Sequence, residues 1–286
     1  MASKPLRTSA SLIVACQSLT SPVEFKILFM TRSKRGSFAG LTVFPGGAVD
    51  PHDSDPCWDR LIPQQYIPER LARVGWHTGI TAIREAFEET GVTFLTTLRS
   101  NTLHSSLQSR KWRHLVHNDA KRFSEMCRTT ECFPSLQRLS FWSRWVTPVV
   151  EPVRFDTKFF LLLVNDPQES AYIMEHASAD GKEAVNISWM TPNQALDAFK
   201  RREITMLPPQ YFTLMELSSM TFKNLQELVS DPNHERDPHP NLPVLLGQSE
   251  RGNPIFELSY SNSDTLVEFV FENKIIVGFK RLGSKL

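Results

Sequence analysis

Cysteine is scarce in this chain of 286 residues. The four cysteines lie far apart and form neither a C-x-x-C motif nor a densely spaced group. Small secreted domains held together by disulfides have many closely spaced cysteines, so the sequence excludes that class. We expect free thiols and a reducing compartment. The cysteines are Cys16, Cys57, Cys127 and Cys132.

Long apolar runs are also missing. The most apolar stretch, residues 159–164, is far shorter than the roughly 20 residues that a membrane-spanning helix needs. Residues 12–16 follow two basic residues but are shorter than the apolar part of a signal peptide, so we interpret them as a first strand. The sequence therefore predicts no membrane span and no membrane partner.

A strong excess of charge of either sign is absent as well. Lys and Arg total 32, Asp and Glu total 31, and the net charge is +1. Proteins that bind nucleic acid usually have a basic surface, so no nucleic-acid partner is expected. The hydrophobic content of 41% and the charged content of 22% are typical of a globular protein, and the length suits one large domain with insertions.

Short apolar runs and turn residues predict the order of the secondary structure elements. The segment 95–139 is polar and mostly compatible with helix, so we interpret it as an insertion. Beyond a proline-rich stretch at 231–243, the alternation over 254–279 predicts two or three strands. Other strands are predicted at 11–15, 26–31, 41–44, 141–150, 158–164 and 184–189, and helices at 68–90, 193–201 with Thr191 as N-cap, and 208–229.

Three carboxylates are concentrated in the segment 84–92. Glu85, Glu88 and Glu89 follow the spacing i, i+3, i+4, which places them on one face of the predicted helix. Carboxylates packed together repel each other, and a hard divalent cation such as Mg²⁺ or Mn²⁺ would relieve that repulsion. Such an ion keeps several waters and binds substrate phosphates. An isolated triplet of this kind is also compatible with a solvated acidic helix face.

Two neighbouring features favour the metal site over the solvated face. Arg84 directly precedes the triplet and is placed to orient the first glutamate. The turn Pro45-Gly46-Gly47 can supply a backbone carbonyl ligand and room for phosphate. We therefore expect the helix to lie beside this turn.

Residues 84–92 resemble the second half of the Nudix box, G-x5-E-x7-R-E-U-x-E-E-x-G-U with U aliphatic, and Phe44-Pro45-Gly46-Gly47 resembles the usual lead-in to it. The first half departs from the pattern. Five residues separate Gly47 from Asp53, which stands where the family has glutamate, and 30 residues rather than seven separate Asp53 from Arg84. The box is thus split by an insertion, and the role of Asp53 is in doubt.

The resemblance implies the Nudix fold, an α/β fold with a mixed β-sheet sandwiched between helices. Here we expect a Nudix domain over residues 1–230, with helical insertions at about 54–80 and 95–139, followed by a C-terminal extension over 231–286.

The resemblance also implies roles for site residues. Glu85 and Glu89 would be principal metal ligands, Glu88 a third ligand or the residue that holds the attacking water, and Gly47 a carbonyl ligand. Arg84 would support these catalytic carboxylates structurally. In many family members an acid outside the box assists catalysis, and the candidate here is Glu183, which is equally compatible with a surface acid before a strand.

The substrate is predicted from a basic loop. Arg32, Ser33, Lys34 and Arg35 resemble part of the coenzyme A signature in the CoA-diphosphatase branch of the family, although Lys34 and Arg35 lie closer to the Arg-Ser pair than that signature specifies. Such a cluster can bind the 3′-phosphate of coenzyme A, and together with Gly46 and Gly47 it forms the candidate substrate-binding set. A solvated basic hairpin is the alternative.

The tripeptide Ser284-Lys285-Leu286 is of the peroxisomal targeting type. It predicts a peroxisomal import receptor as partner and the peroxisomal matrix as location. The predicted function is metal-dependent hydrolysis of coenzyme A and acyl-CoA to adenosine 3′,5′-bisphosphate and (acyl-)4′-phosphopantetheine. Two alternatives stay open: a diphosphatase for another nucleoside diphosphate derivative (NADH, an ADP-sugar or capped RNA), and a Nudix-fold module that binds coenzyme A without cleaving it.

A structural zinc site is a competing interpretation of the segment 95–139. His114 and His117, followed by Cys127 and Cys132, are residue types that bind zinc. The cysteine spacing is loose, and the histidines lie in a basic, surface-like stretch, so we disfavour this interpretation.

Overall fold

The computed structural model describes residues 5–34, 39–97, 110–231, 236–260, 263–272 and 275–284. Its strands, in chain order, are β1 (Leu6–Gln17), β2 (Phe25–Arg32), β3 (Thr42–Val43), β4 (Gly46–Ala48), β5 (Leu95–Thr97), β6 (Cys132–Pro134), β7 (Leu139–Val146), β8 (Arg154–Val164), β9 (Ala184–Met190), β10 (Val244–Gln248), β11 (Pro254–Tyr260), β12 (Ser263–Glu272) and β13 (Ile275–Ser284). The helices are α1 (Cys57–Leu61), α2 (Glu69–Ala72), α3 (His77–Thr90), α4 (Arg110–Asn118), α5 (Lys121–Thr129), α6 (Pro167–His176), α7 (Pro192–Lys200), α8 (Pro208–Leu217) and α9 (Phe222–Ser230).

A seven-stranded mixed sheet forms the centre. Its strand order is β3-β2-β1-β8-β7, with β4 paired to β1 and β9 paired to β2. Strands β1 and β8 run parallel, and the other pairs are antiparallel. The long parallel pair is buried on both sides, as expected of a strand pair with helices on either face.

Alternate residues of β1 and β8 face two different hydrophobic cores. One core lies against α3 and the other against α7, α8 and α9. The predicted α/β arrangement, with a mixed sheet between helices, is confirmed. Leu12, Val14, Phe160 and Leu162 face the first core, and Ile13, Ala15, Phe159 and Leu161 face the second.

The predicted strands are all present, but two of the three predicted helices are not continuous. The helix predicted over 68–90 is wrong as a single element, because Gly75 adopts a left-handed conformation (φ 80°) that separates α2 from α3. The helix predicted over 208–229 is also wrong as one element. Its second part, α9, starts afresh at Thr221, whose side chain accepts a hydrogen bond from the Asn224 amide. The helix predicted at 193–201 is confirmed as α7, with Thr191 as its N-cap.

The predicted insertion at 95–139 contains α4 and α5 and the small β5–β6 sheet, while residues 98–109 lie outside the described part of the chain. Its helices are not peripheral. Val116, Phe123 and Met126 are fully buried in the same core as Phe87 of α3. The insertion at 54–80 consists of short helices, including α1 and α2.

The C-terminal strands form an antiparallel sheet of four strands, β10 to β13. Three of them cover the stretch 254–279, as predicted, and β10 adds a fourth before it. The Phe279 ring packs against α7 and α8, with centroids 5.7 Å from Phe199 and 4.7 Å from Tyr211. The domain boundary near residue 230 stays a prediction, as does peroxisomal targeting, since Lys285 and Leu286 lie outside the described residues.

The expectation of free thiols is met within the described residues. All four cysteines are free thiols. None of the helices in this part of the chain is long and apolar enough to span a bilayer.

Candidate active site

Helix α3 and the Gly46-Gly47 turn meet at one point of the central sheet. The Gly46 amide donates a hydrogen bond to Oε2 of Glu89 at 2.8 Å. A Cβ atom at Gly47 would lie only 2.5 Å from Cδ of Glu85, so a side chain there would displace this carboxylate. Pairing of β4 with β1 holds the turn in place. The expected approach of the helix to the turn is therefore present.

Arg84 lies at the centre of a buried network of carboxylates. Its Nη1 donates to Oε1 of Glu88 at 2.6 Å and lies 2.9 Å from Oε1 of Glu85. Its Nη2 also donates to the carbonyl of Ala48 at 3.3 Å, which connects the helix to β4. One guanidinium thus orients two of the three glutamates, because its planar group carries several N–H donors that can contact more than one carboxylate.

Asp53 completes this network despite the insertion that separates it from α3. The side chain is 1% exposed, and its two oxygens accept from Nε and Nη2 of Arg84 at 2.8 and 2.9 Å. The hydroxyl of Thr81 donates to the same carboxylate at 2.8 Å. Sequence reasoning missed Thr81, although its position three residues before Arg84 places both on one helix face.

The glutamates themselves are withdrawn from water. Glu88 and Glu89 are 7% and 1% exposed. Oε1 of Glu89 is buried and has no hydrogen-bond partner, and Nη1 of Arg32 lies 3.7 Å away from it. An unpaired buried carboxylate oxygen is costly unless it takes up positive charge.

Burial raises the pKa of each of these carboxyl groups. The pKa of Glu88 is raised to about 7, mainly by burial and by the neighbouring Glu85, while Arg84 opposes the shift. Burial also raises the pKa of Glu85, again opposed by Arg84. The pKa of Glu89 rises well above its ordinary value through burial and through the charge of Glu85. The site thus favours uptake of protons or of a cation.

In the described part of the chain, no group of three or more His, Cys, Asp or Glu side chains is arranged to hold a metal ion. Arginines contact the carboxylates instead. The donor set nevertheless suits a hard divalent cation, because it consists of oxygen atoms, includes the unpartnered Glu89 oxygen, and includes the Glu85 carboxylate, which lies directly against Gly47. The assignment of these residues as ligands stays a prediction.

Arg32 contacts both Glu89 of the Nudix box and Glu183, the acid predicted to assist catalysis from outside the box. Its Nη2 donates to Oε2 of Glu183 at 3.2 Å, while its other terminal nitrogen, Nη1, faces Glu89. The Ser33 amide also donates to the Glu183 carbonyl at 2.8 Å. Lys34 is exposed in a bend, and Arg35 lies outside the described residues. Of the predicted basic cluster, Arg32 is therefore placed beside the acids.

Helix α4 adds two residues that sequence reasoning did not assign to the site. Nε of Arg113 donates to the backbone carbonyl of Glu88 at 2.8 Å, and Nδ1 of His117 lies 3.8 Å from its Oε2. His114 is exposed and contacts Asn118 of its own helix, so the two histidines do not face one centre as the zinc interpretation would require. The spacing of Arg113 and His117, one helical turn apart, is the only sequence signal for them.

Comparison with known proteins is consistent with this geometry. Residues 72–217 match the family model described as the NUDT19 Nudix domain. Acyl-coenzyme A diphosphatase NUDT19 of Xenopus laevis is 28% identical over 239 residues, which are 68% of this chain and 60% of that protein. The protein of the same description from Homo sapiens is 29% identical over 244 residues, 71% of this chain and 63% of that one. The matches thus span less than two thirds of these two relatives.

A solved structure supports the fold. The crystal structure of a NUDIX hydrolase from Alicyclobacillus acidocaldarius is similar, with a TM-score of 0.63 and 22% identity, over 80% of this chain and 98% of that one. The predicted Nudix fold and the predicted resemblance to the Nudix family are confirmed, and the family model that matches is that of the NUDT19 proteins.

Proposed function

This chain belongs to the NUDT19 Nudix domain family, and we propose that it hydrolyses the diphosphate bond of coenzyme A and acyl-CoA. The products would be adenosine 3′,5′-bisphosphate and (acyl-)4′-phosphopantetheine. The observation that carries the proposal is the set of glutamates on α3, one buried oxygen of which has no partner, beside a turn where Gly47 lets the Glu85 carboxylate approach the backbone. Such a site can take up the positive charge that diphosphate chemistry requires.

We expect Mg²⁺ or Mn²⁺ at this site, held by Glu85, Glu88, Glu89 and the carbonyl of Gly47. When bound, the ion supplies charge that stabilises the diphosphate and lowers the pKa of water. The raised pKa values of the glutamates support this assignment, because burial disfavours their charged form and a cation beside them would offset that cost.

The protein's own side chains have separate tasks in the proposed reaction. Arg84, held by Asp53, keeps the carboxylates of Glu85 and Glu88 in place. Glu88, as a third ligand or as the residue that holds the attacking water, would accept a proton from that water. The water oxygen then bonds to phosphorus, the bridging P–O bond breaks, and the leaving phosphate oxygen takes the electron pair.

The choice of coenzyme A as substrate is supported by the names of the Xenopus and human relatives, which are acyl-coenzyme A diphosphatases. It is also supported by the position of Arg32 beside Glu89 and Glu183, where a cation can contact substrate phosphate. Lys34, exposed two residues later, can reach a second phosphate.

The test is an assay of the purified full chain with coenzyme A and either cation, with products separated by chromatography. Wild type should form the two expected products. Glu89→Gln should lose at least about 100-fold in kcat, because it removes a ligand charge while keeping the side-chain shape. Glu175→Gln, on the exposed face of α6, is the matched control and should keep full activity. Absence of cleavage by folded wild type with both cations would refute the proposal.

The alternatives are distinguished by substrate competition and by calorimetry. A preference for NADH, an ADP-sugar or capped RNA over coenzyme A would keep the diphosphatase reaction and change the substrate. Tight calorimetric binding of coenzyme A without turnover would instead indicate a binding module. The presence of all three glutamates, Glu85, Glu88 and Glu89, favours hydrolysis.

A further inference from the structure

Arg113 of α4 contacts two segments of the site at once. Its Nε donates to the backbone carbonyl of Glu88 at 2.8 Å. Its Nη2 donates to the carbonyl of Ser178 at 2.8 Å, and its Nη1 to the hydroxyl of the same serine at 3.2 Å. One planar guanidinium therefore bridges the end of α3 and the segment 178–183 before β9.

His117, one turn further along α4, lies between the same two segments. Its Nδ1 is 3.8 Å from Oε2 of Glu88 and 3.9 Å from Oδ2 of Asp180. Asp180 in turn accepts from the backbone amides of Glu183 at 3.1 Å and Ala184 at 2.8 Å, and so holds the backbone that carries Glu183. Residues four apart share a helix face, so α4 presents both contacts on one side.

The contact with α3 satisfies a helix end that needs a partner. The last carbonyls of a helix lack donors from their own helix, and a cation there is favourable. Gly91, which follows α3 in a left-handed conformation (φ 73°), leaves room for the arginine, since a Cβ atom there would lie 3.1 Å from Nη1 of Arg113. A backbone hydrogen bond from the Ser178 amide to the Thr90 carbonyl, 2.9 Å long, joins the segments at the same place.

We infer that Arg113 is a positioning residue, which fixes the last turn of α3, with Glu88 and Glu89, relative to the segment that presents Glu183. This inference rests on the proposed function. It assigns a role to the predicted insertion at 95–139, because helix α4 of this insertion would hold Glu88, Glu89 and Glu183 in position although it lies outside the Nudix box. Arg113 holds the segments that carry the proposed catalytic acids, whereas the substrate contacts are proposed for Arg32, so the inferred effect is on turnover rather than on substrate binding.

The kinetic test uses Arg113→Met with Lys111→Met as control, because Lys111 is an exposed cation on the same helix. Arg113→Met should lower kcat by roughly 10- to 100-fold, since small displacements of catalytic groups have effects of that size, with KM changed less than about threefold. Arg113→Lys should recover part of kcat, because one ammonium can reach one of the two carbonyls. Lys111→Met should match wild type. A kcat for Arg113→Met within about twofold of wild type would overturn the inference.

Hydrogen–deuterium exchange supplies a readout that does not depend on turnover. Arg113→Met should accelerate exchange in residues 88–92 and 177–184 and leave the rest of the chain unchanged. A uniform acceleration with a matching loss of Tm would mean a general structural role and would contradict the inference, as would unchanged exchange in both segments. If wild type fails to cleave coenzyme A, the proposed function fails, and the exchange pattern alone still decides whether Arg113 couples the segments.

Discussion

Asp53 and Arg84 form a buried two-point ion pair, with Oδ1 2.8 Å from Nε and Oδ2 2.9 Å from Nη2, although 30 residues lie between them in the sequence. The aspartate is one methylene shorter than the glutamate of the Nudix signature. It reaches the arginine because the 3-10 turn Pro51–Ser54 presents it, and Thr81 donates to the same carboxylate. The departure from the signature therefore preserves the support of Arg84.

Asp53→Asn should destabilise the fold by about 3 kcal/mol, near the lower end of the cost of breaking a buried ion pair, because Glu85 and Glu88 still neutralise Arg84. Urea denaturation measures this loss. Asp59→Asn, at an exposed position in α1, is the matched control and should change the free energy of unfolding by less than about 0.5 kcal/mol. Equal stability of the two variants would show that the pair does not stabilise the fold.

Gly47→Ala should lower activity strongly while it lowers thermal stability only slightly. The new methyl group would lie 2.5 Å from the carboxyl carbon of Glu85, at the far end of a side chain that can move. We expect Tm to fall by only a few degrees, since less than about 1 kcal/mol is lost. Activity and Mn²⁺ affinity should fall at least about tenfold, because the carboxylate leaves its position.

Gly247→Ala is the control for this substitution, because nothing lies within 4 Å of a Cβ atom at that position. It should leave both activity and Mn²⁺ affinity unchanged. Wild-type affinity for Mn²⁺ in Gly47→Ala would argue against a ligand role for Glu85.

The raised pKa of Glu88 predicts how the stability of the cation-free protein depends on pH. With a pKa of about 7 in the folded state, against 4.5 ordinarily, the folded protein binds more protons than the unfolded chain between these values. The free energy of unfolding should therefore fall as pH rises from about 4.5 to about 7, and Glu88→Gln should reduce that slope. Urea titrations at several pH values in chelator measure it, with Glu175→Gln as control. A slope unchanged by Glu88→Gln would contradict the shift.

Glu183→Gln tests whether this acid is catalytic or a surface residue. Its side chain is 52% exposed, and an ion pair at such a position, here with Arg32, contributes at most about 1 kcal/mol. We expect an unchanged Tm and a loss in kcat of at least about tenfold. Steady-state kinetics with coenzyme A measure this loss, and full activity would assign Glu183 to the surface.

Local patterning alone predicted much of the fold and the acidic face of α3. The strands, the N-cap at Thr191 and the i, i+3, i+4 spacing of the glutamates depend on residues close together in the chain, so they could be found without a structure. Continuity of the helices was not predictable in the same way. Apolar spacing continued through Gly75, yet the backbone there turns left-handed so that α3 can pack on the sheet.

The electrostatic state of the site and its supports depended on packing between distant segments. The pairing of Asp53 with Arg84, the contacts of Arg113 with Glu88 and Ser178, and the raised pKa of Glu88 all require burial and proximity that sequence spacing does not encode. The residue types were sufficient to predict that the glutamates of α3 lie beside the Gly46-Gly47 turn. Only the tertiary structure decided which cations face them and how much water they lose, because desolvation is a property of the assembled core.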